Sequence, residues 1–136
     1  MKNIKNKKRL NIIKYNKIIK SKLDINKEDY EIYIILKEYN DKYKTNIDDI
    51  DIKELNFSET YIGKTGLKDL VKIKFKALKE LDLSDNKISD IKILEKVDFK
   101  DLQQLDLSKN AISDIKVLER VNFKLLQQLD LNKNRI

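Results

Sequence analysis

The chain has 136 residues, enough for one domain and too few for two ordinary ones. It contains no Cys, His, Trp or Pro and only two glycines, Gly63 and Gly66. This excludes a disulfide framework, zinc or haem ligation by the usual side chains, and catalysis through His or Cys. The net charge of +7 is uneven: residues 1–23 hold nine Lys/Arg and no acid, whereas residues 24–136 hold 21 Lys/Arg against 23 Asp/Glu. The basic character therefore belongs to an N-terminal arm, and the body is close to neutral.

The arm, residues 1–23, carries Lys2, Lys5, Lys7, Lys8, Arg9, Lys14, Lys17, Lys20 and Lys22. Ile12, Tyr15, Ile19 and Leu23 have the spacing of a weak helix within residues 8–23. Lys14, Lys17 and Lys20 interrupt the apolar segment that a secretory signal needs. No apolar run approaches the roughly 18 residues that span a bilayer. An intracellular, cytoplasmic location is expected. The arm reads in three ways: as an organelle presequence, a reading weakened by its scarcity of Arg and Ser, as a solvated and compositionally biased tail, or as an electrostatic tether of residues 2–22 to nucleic acid or an anionic membrane. With Tyr15 as its single aromatic, base stacking is poorly supported, so nucleic-acid binding there would be non-specific and steep in salt. The charge split also raises the hypothesis that the arm folds against an acidic face.

Residues 24–51 read as a helical N-terminal cap. Asn26 can cap a helix over residues 27–44, with Glu28, Asp29 and Glu31 in its first turn and Lys42 and Lys44 in its last. Ile32, Ile35/Leu36, Tyr39 and Tyr43 form one stripe at helical spacing. Such a helix would cover an apolar end of the remaining chain.

From residue 55 onward the chain repeats itself. Residues 81–104, LDLSDNKISDIKILEKVDFKDLQQ, and residues 105–128, LDLSKNAISDIKVLERVNFKLLQQ, agree at 18 of 24 positions without a gap. Residues 129–136 begin a third copy. Residues 55–80 are a degenerate earlier one, two residues longer around Gly63-Lys64-Thr65-Gly66. A fixed period of this length implies stacked coils. The alternation at Leu81/Leu83 predicts a short strand with one buried face. Asn86, Asn110 and Asn134, with Thr60 in the first copy, stand where the chain must leave the strand, and an Asn amide there can bond backbone groups of neighbouring coils. Ser89-Asp90-Ile91 and Ser113-Asp114-Ile115 predict a helix start, with Ser as N-cap and about two turns burying Ile91/Leu94 and Ile115/Leu118. Phe99 and Phe123 then fill the core before the next strand.

The series Leu78-x-x-Leu81-x-Leu83-x-x-Asn86-x-Ile88, repeated from Leu102 to Ile112 and from Leu126 to Ile136, resembles the leucine-rich repeat family. Residues 52–62 give a fourth, weaker copy with Thr60 in place of Asn. The N-x-I-x-x-I-x-x-L part is similar to the short-repeat subclass of intracellular phosphatase regulators and bacterial internalins. The resemblance implies an α/β solenoid over residues 52–136. It would be an arc of about three and a half copies, with short parallel strands on the concave face, short helices on the convex face, and an N-terminal helical cap. It also implies a protein partner on the concave face.

The outward strand positions are Glu54, Asn56, Ser58; Glu80, Asp82, Ser84; Gln104, Asp106, Ser108; and Gln128, Asp130, Asn132, with five acids and no base. Asp82, Asp106 and Asp130 would stack in a column at about 4.8 Å per step. Either each Asp bonds nearby loop amides, or the column is an acidic stripe for a basic or polar partner. Carboxylates without a ligand loop give calcium little support, and no metal or cofactor is expected. Gly63-Lys64-Thr65 is similar to a phosphate loop but has Ser58 where the first Gly belongs. A carboxylate couple such as Asp82/Asp106 finds no deep pocket in a thin arc. A non-catalytic interaction module is therefore expected. No matching cap closes the last copy, so strand 128–132 would be an open edge, either a piece of a longer repeat array or a surface for self-association.

Overall fold

The computed structural model describes residues 27–136. The basic arm, its helix within residues 8–23 and the capping role of Asn26 lie outside the described residues. Four three-residue strands, β1 (Glu54–Asn56), β2 (Glu80–Asp82), β3 (Gln104–Asp106) and β4 (Gln128–Asp130), form one parallel sheet in sequence order. Leu55, Leu81, Leu105 and Leu129 pair across it in register. Parallel neighbours require a crossover between each pair. Here α2 (Gly63–Leu70) makes the first, and two 3₁₀ turns, Lys92–Lys96 and Lys116–Glu119, make the others.

The strands are short because the chain turns sharply just after them. Glu59, Asp85, Lys109 and Lys133, one residue before Thr60, Asn86, Asn110 and Asn134, hold φ of 58°, 53°, 51° and 56°. None is glycine, so each turn carries backbone strain on the order of 1–2 kcal/mol. Inter-coil hydrogen bonds fix this corner. The Leu83 N–H donates to Asp106 O at 2.9 Å and the Asp85 N–H to Ser108 O at 3.1 Å, and the same pair recurs one coil on from Leu107 and Lys109.

Inside, equivalent apolar positions share one core. Leu67, Leu70, Leu83, Ile88, Leu94, Leu102, Leu107 and Ile112 have no exposed surface. Burial fades toward the last coil. Phe99 is buried and Phe123 half-buried, while Leu125 and Leu129 are exposed.

The segments that connect the strands differ from the α-helical expectation. In the second and third coils they are 3₁₀ turns, and neither Ser89 nor Ser113 caps them. The Asp90 and Asp114 carboxylates instead accept the N–H groups of Lys92 and Lys116, at 2.9 and 3.0 Å. A 24-residue coil leaves too few residues for α turns, and the tighter i→i+3 bonds close the distance, as from Leu94 N to Ile91 O. In the third coil Val117 is the buried residue, and Ile115 and Leu118 are half-buried. The first copy has two residues more, and there the segment is α-helical. The stretch Gly63–Gly66 is thus the start of a helix and not only a turn.

The helix α1 (Lys27–Tyr43) lies against α2 and the first coil. It buries Leu36 and Tyr39, and the Tyr39 ring sits 6.0 Å from that of Phe57. Lys44, expected as its last residue, is instead left-handed at φ 56°, which ends the helix. Asn40 then pins the exit. Its Oδ1 accepts the Ile47 N–H and its Nδ2 donates to Ile47 O, both at 2.8 Å. Asp69 of α2 ties the two helices together, accepting from Tyr43 Oη at 2.6 Å and pairing with Lys42 and Lys72 at 2.7 Å.

Candidate functional site

The asparagine positions form a hydrogen-bonded seam behind the sheet. Asn86 is fully buried. Its Nδ2 donates to Phe57 O at 2.7 Å and Ser84 O at 2.9 Å, and its Oδ1 accepts the Ile62 N–H at 3.1 Å. Asn110 Nδ2 reaches Leu83 O, Leu107 O and Ser108 O at 2.9–3.0 Å, and its Oδ1 accepts the Asn86 and Ile88 N–H groups. Asn134 does less, serving Leu107 O, Leu131 O and the Ile112 N–H. In the first coil Thr60 Oγ1 stands 2.6 Å from Phe57 O and 3.1 Å from Asn86 Oδ1, with one proton to share between them. This seam holds each turn at a fixed height, so the side chains on the other face of the strands are held in rows.

Two such rows face outward. One runs Glu54, Glu80, Gln104, Gln128 and the other Asn56, Asp82, Asp106, Asp130, aligned by the strand register. The four first-row residues are exposed and the three aspartates half-buried. Each aspartate uses one carboxylate oxygen locally. Asp82, Asp106 and Asp130 accept the N–H two residues on, from Ser84, Ser108 and Asn132, at 2.9, 2.8 and 2.8 Å. Asn56 makes the same bond to the Ser58 N–H at 2.9 Å. The turn therefore needs a side-chain oxygen at this position and does not need its charge. Three negative charges at about 4.8 Å spacing are surplus to the fold.

One expected outward residue is not outward. Ser108 is only 8% exposed, although its carbonyl accepts the same two bonds, from Asn110 Nδ2 and the Asp85 N–H, that the half-buried Ser84 accepts from Asn86 Nδ2 and the Glu59 N–H. Ser84 is half-buried, and Asn132, on the last coil, is exposed.

The structure adds a residue that the sequence pattern did not single out. Tyr61, 67% exposed and left-handed at φ 56°, lies beside the Asn86 rung with Lys87 Nζ 4.9 Å from its ring centre. Its only signal was an aromatic in the copy whose counterparts are Lys87, Ala111 and Arg135.

At the far edge β4 has a sheet neighbour on one side, and Leu129 is 40% exposed. Among the described residues, no group of three or more Asp or Glu stands close enough to hold a metal ion, and no helix is long and apolar enough to cross a membrane.

Residues 76–120 match a family model described as Leucine Rich repeats (2 copies). Strands β2 and β3 and both of their turn asparagines fall in that span, and β1 and β4 continue their register on either side. The search of curated proteins finds no match.

Proposed function

This chain carries leucine-rich repeats, and from that premise we propose that residues 52–136 form a solenoid arc whose outward strand face, on the concave side, binds a protein partner through its acidic rows. Domains of this family generally mediate protein–protein interaction and are typically non-catalytic. The observation that supports the finer reading is the equivalence of Asn56 with Asp82, Asp106 and Asp130. All four make the same turn bond, so the three charges are free to answer a partner. Glu54 and Glu80 add to them, and Gln104, Gln128, Ser84 and Asn132 supply uncharged hydrogen-bonding groups alongside. The partner segment is therefore basic or polar. In this reading the segment 24–51 is a cap, of which the described part, residues 27–51 with α1, covers the N-terminal end of the core.

Selection of displayed random 16-residue peptides on the 136-residue chain tests this. The enriched peptides carry excess Lys and Arg and lose at least tenfold in affinity for the triple variant Asp82→Lys/Asp106→Lys/Asp130→Lys. Peptides that bind both proteins equally would refute it.

A second reading rests on the nine cations and no acid of residues 1–23: a tether to nucleic acid or anionic membrane, with the repeats as scaffold. Neutralising the lysines of residues 2–22 abolishes binding in that case, and reversing the aspartates leaves it intact.

A further inference from the structure

A second surface, away from the strand rows, carries the opposite charge. Between α1 and the segments that return to β2 and β3 lies a groove of about 830 Å³. Its apolar lining includes Ile32 and Ile35 of α1 on one wall and Val71, Ile73, Phe75 and Phe99 on the other. Ile35 is 39% exposed, so the apolar wall on α1 is open to solvent, while Ile73, Phe75 and Phe99 are buried. Around it stand Lys72, Lys74, Lys76, Lys96 and Lys100, all exposed, against Glu28, Glu31 and Asp98. The repeat itself generates this rim. Lys72 and Lys96 hold equivalent positions in successive coils, as do Lys76 and Lys100. Residues 72–76 also alternate, with lysines outward and Ile73 and Phe75 buried. Of the five lysines only Lys72 has an ion pair among the described residues, with Asp69.

We propose that this groove docks an acidic amphipathic helix of a partner protein, its apolar stripe on Ile35 and Val71 and its carboxylates on the lysine rim. Ile32 and Ile35, three residues apart on α1, offer a ridge along which a second helix, roughly 10–12 Å across, can pack. The rim sets the sign of the partner. The chain's own residues 1–23 carry nine cations and no acid, so the rim repels them. A second copy's strand face is acidic, but every side chain it projects is polar, which leaves the exposed Ile35 without an apolar partner. The inference does not depend on the strand face being a binding site.

The test uses the full chain and a fluorescein-labelled 18-residue peptide with Leu at helical positions i, i+3, i+4, i+7 and Glu elsewhere, tracked by fluorescence anisotropy. It binds, while the same composition with scattered leucines binds at least tenfold more weakly and the version with Lys for Glu does not bind. Lys72→Glu/Lys76→Glu/Lys100→Glu weakens binding at least tenfold, as do Ile35→Glu and the milder Ile35→Ser. The matched set Lys109→Glu/Lys116→Glu/Lys133→Glu changes it less than twofold. Equal binding of the scattered peptide, an equal loss in the matched set, or indifference to both Ile35 variants would overturn the proposal in favour of non-specific attraction. Displacement of the probe by a peptide of residues 1–26 would overturn it in favour of the chain's own segment.

Discussion

Asn110 Oδ1 accepts the backbone N–H of Asn86, 24 residues earlier in the chain, at 3.1 Å. One side chain thus holds the turn of the coil before it, while its Nδ2 holds its own turn through Leu107 O and Ser108 O. Stability and surface geometry meet at this residue, because the same turn sets the height of Asp82 and Asp106.

Removing that side chain leaves several inward backbone groups without a partner. An unsatisfied buried group costs about 1–3 kcal/mol, and the effects do not add fully. Asn110→Ala is expected to lower the unfolding free energy in urea by about 3 kcal/mol. Asn86→Ala costs at least as much, since Asn86 is fully buried, and Asn134→Ala on the open last coil costs about 1 kcal/mol. Equal losses at Asn86, Asn110 and Asn134 would contradict the seam as described.

The left-handed turn residues predict a gain. Lys109 at φ 51° is strained by its Cβ. Lys109→Gly relieves roughly 1–2 kcal/mol of strain and restores part of that as chain entropy, for a net stabilisation of about 0.5 kcal/mol. Lys92→Gly, within a 3₁₀ turn, destabilises by a similar amount. Opposite signs in paired urea titrations are the expected result.

The two glycines have different jobs. A Cβ at Gly66 would lie 2.3 Å from Ile62 Cβ and 3.2 Å from Tyr43 Cε1, so Gly66 is required for space. Gly66→Ala should cost about 2–3 kcal/mol through overpacking between α1 and α2. At Gly63 the nearest atom to an added Cβ is Asn86 O at 3.9 Å, and only the φ of +57° resists substitution. Gly63→Ala should cost about 1 kcal/mol. Thermal unfolding of both variants checks the order.

Asp69 makes the packing of α1 depend on pH. Hydrogen bonds from Lys42, then Lys72 and Tyr43, hold its carboxyl well below the usual carboxylate range. With the folded value depressed, its stabilisation is present above the unfolded value of about 4 and is lost as pH falls below that. The stability difference between the native chain and Asp69→Asn should be largest near neutral pH and shrink steadily below about pH 4. A difference constant from pH 7 to pH 3 would contradict this.

How much of this could be read from residues alone has physical reasons. Leu81/Leu83 and their counterparts alternate with period two inside a 24-residue repeat, so parallel strands in register were legible, as was the apolar interior. The type of turn on the other side was not. Ser89-Asp90 looks like a helix start, but the shortness of the coil decides for 3₁₀ bonding, and no local signal reports that distance. Ser84 and Ser108 hold equivalent positions and make equivalent carbonyl bonds, yet Ser108 is buried and Ser84 half-buried, a difference that no pattern of side chains encodes. The aspartate rows were countable, but that Asn56 makes the same turn bond without charge emerges only from geometry. The lysine-rimmed groove was hidden because it depends on where α1 lies against residues 71–76.

The most direct measurement of the central claim is amide NMR of the 136-residue chain titrated with a selected basic peptide. Shifts and cross-saturation are expected to concentrate at residues 54–58, 80–84, 104–108 and 128–132, and to disappear in the triple aspartate reversal. Perturbations confined to residues 1–26, or spread over the segments of the 3₁₀ turns while the strand face stays silent, would contradict the claim.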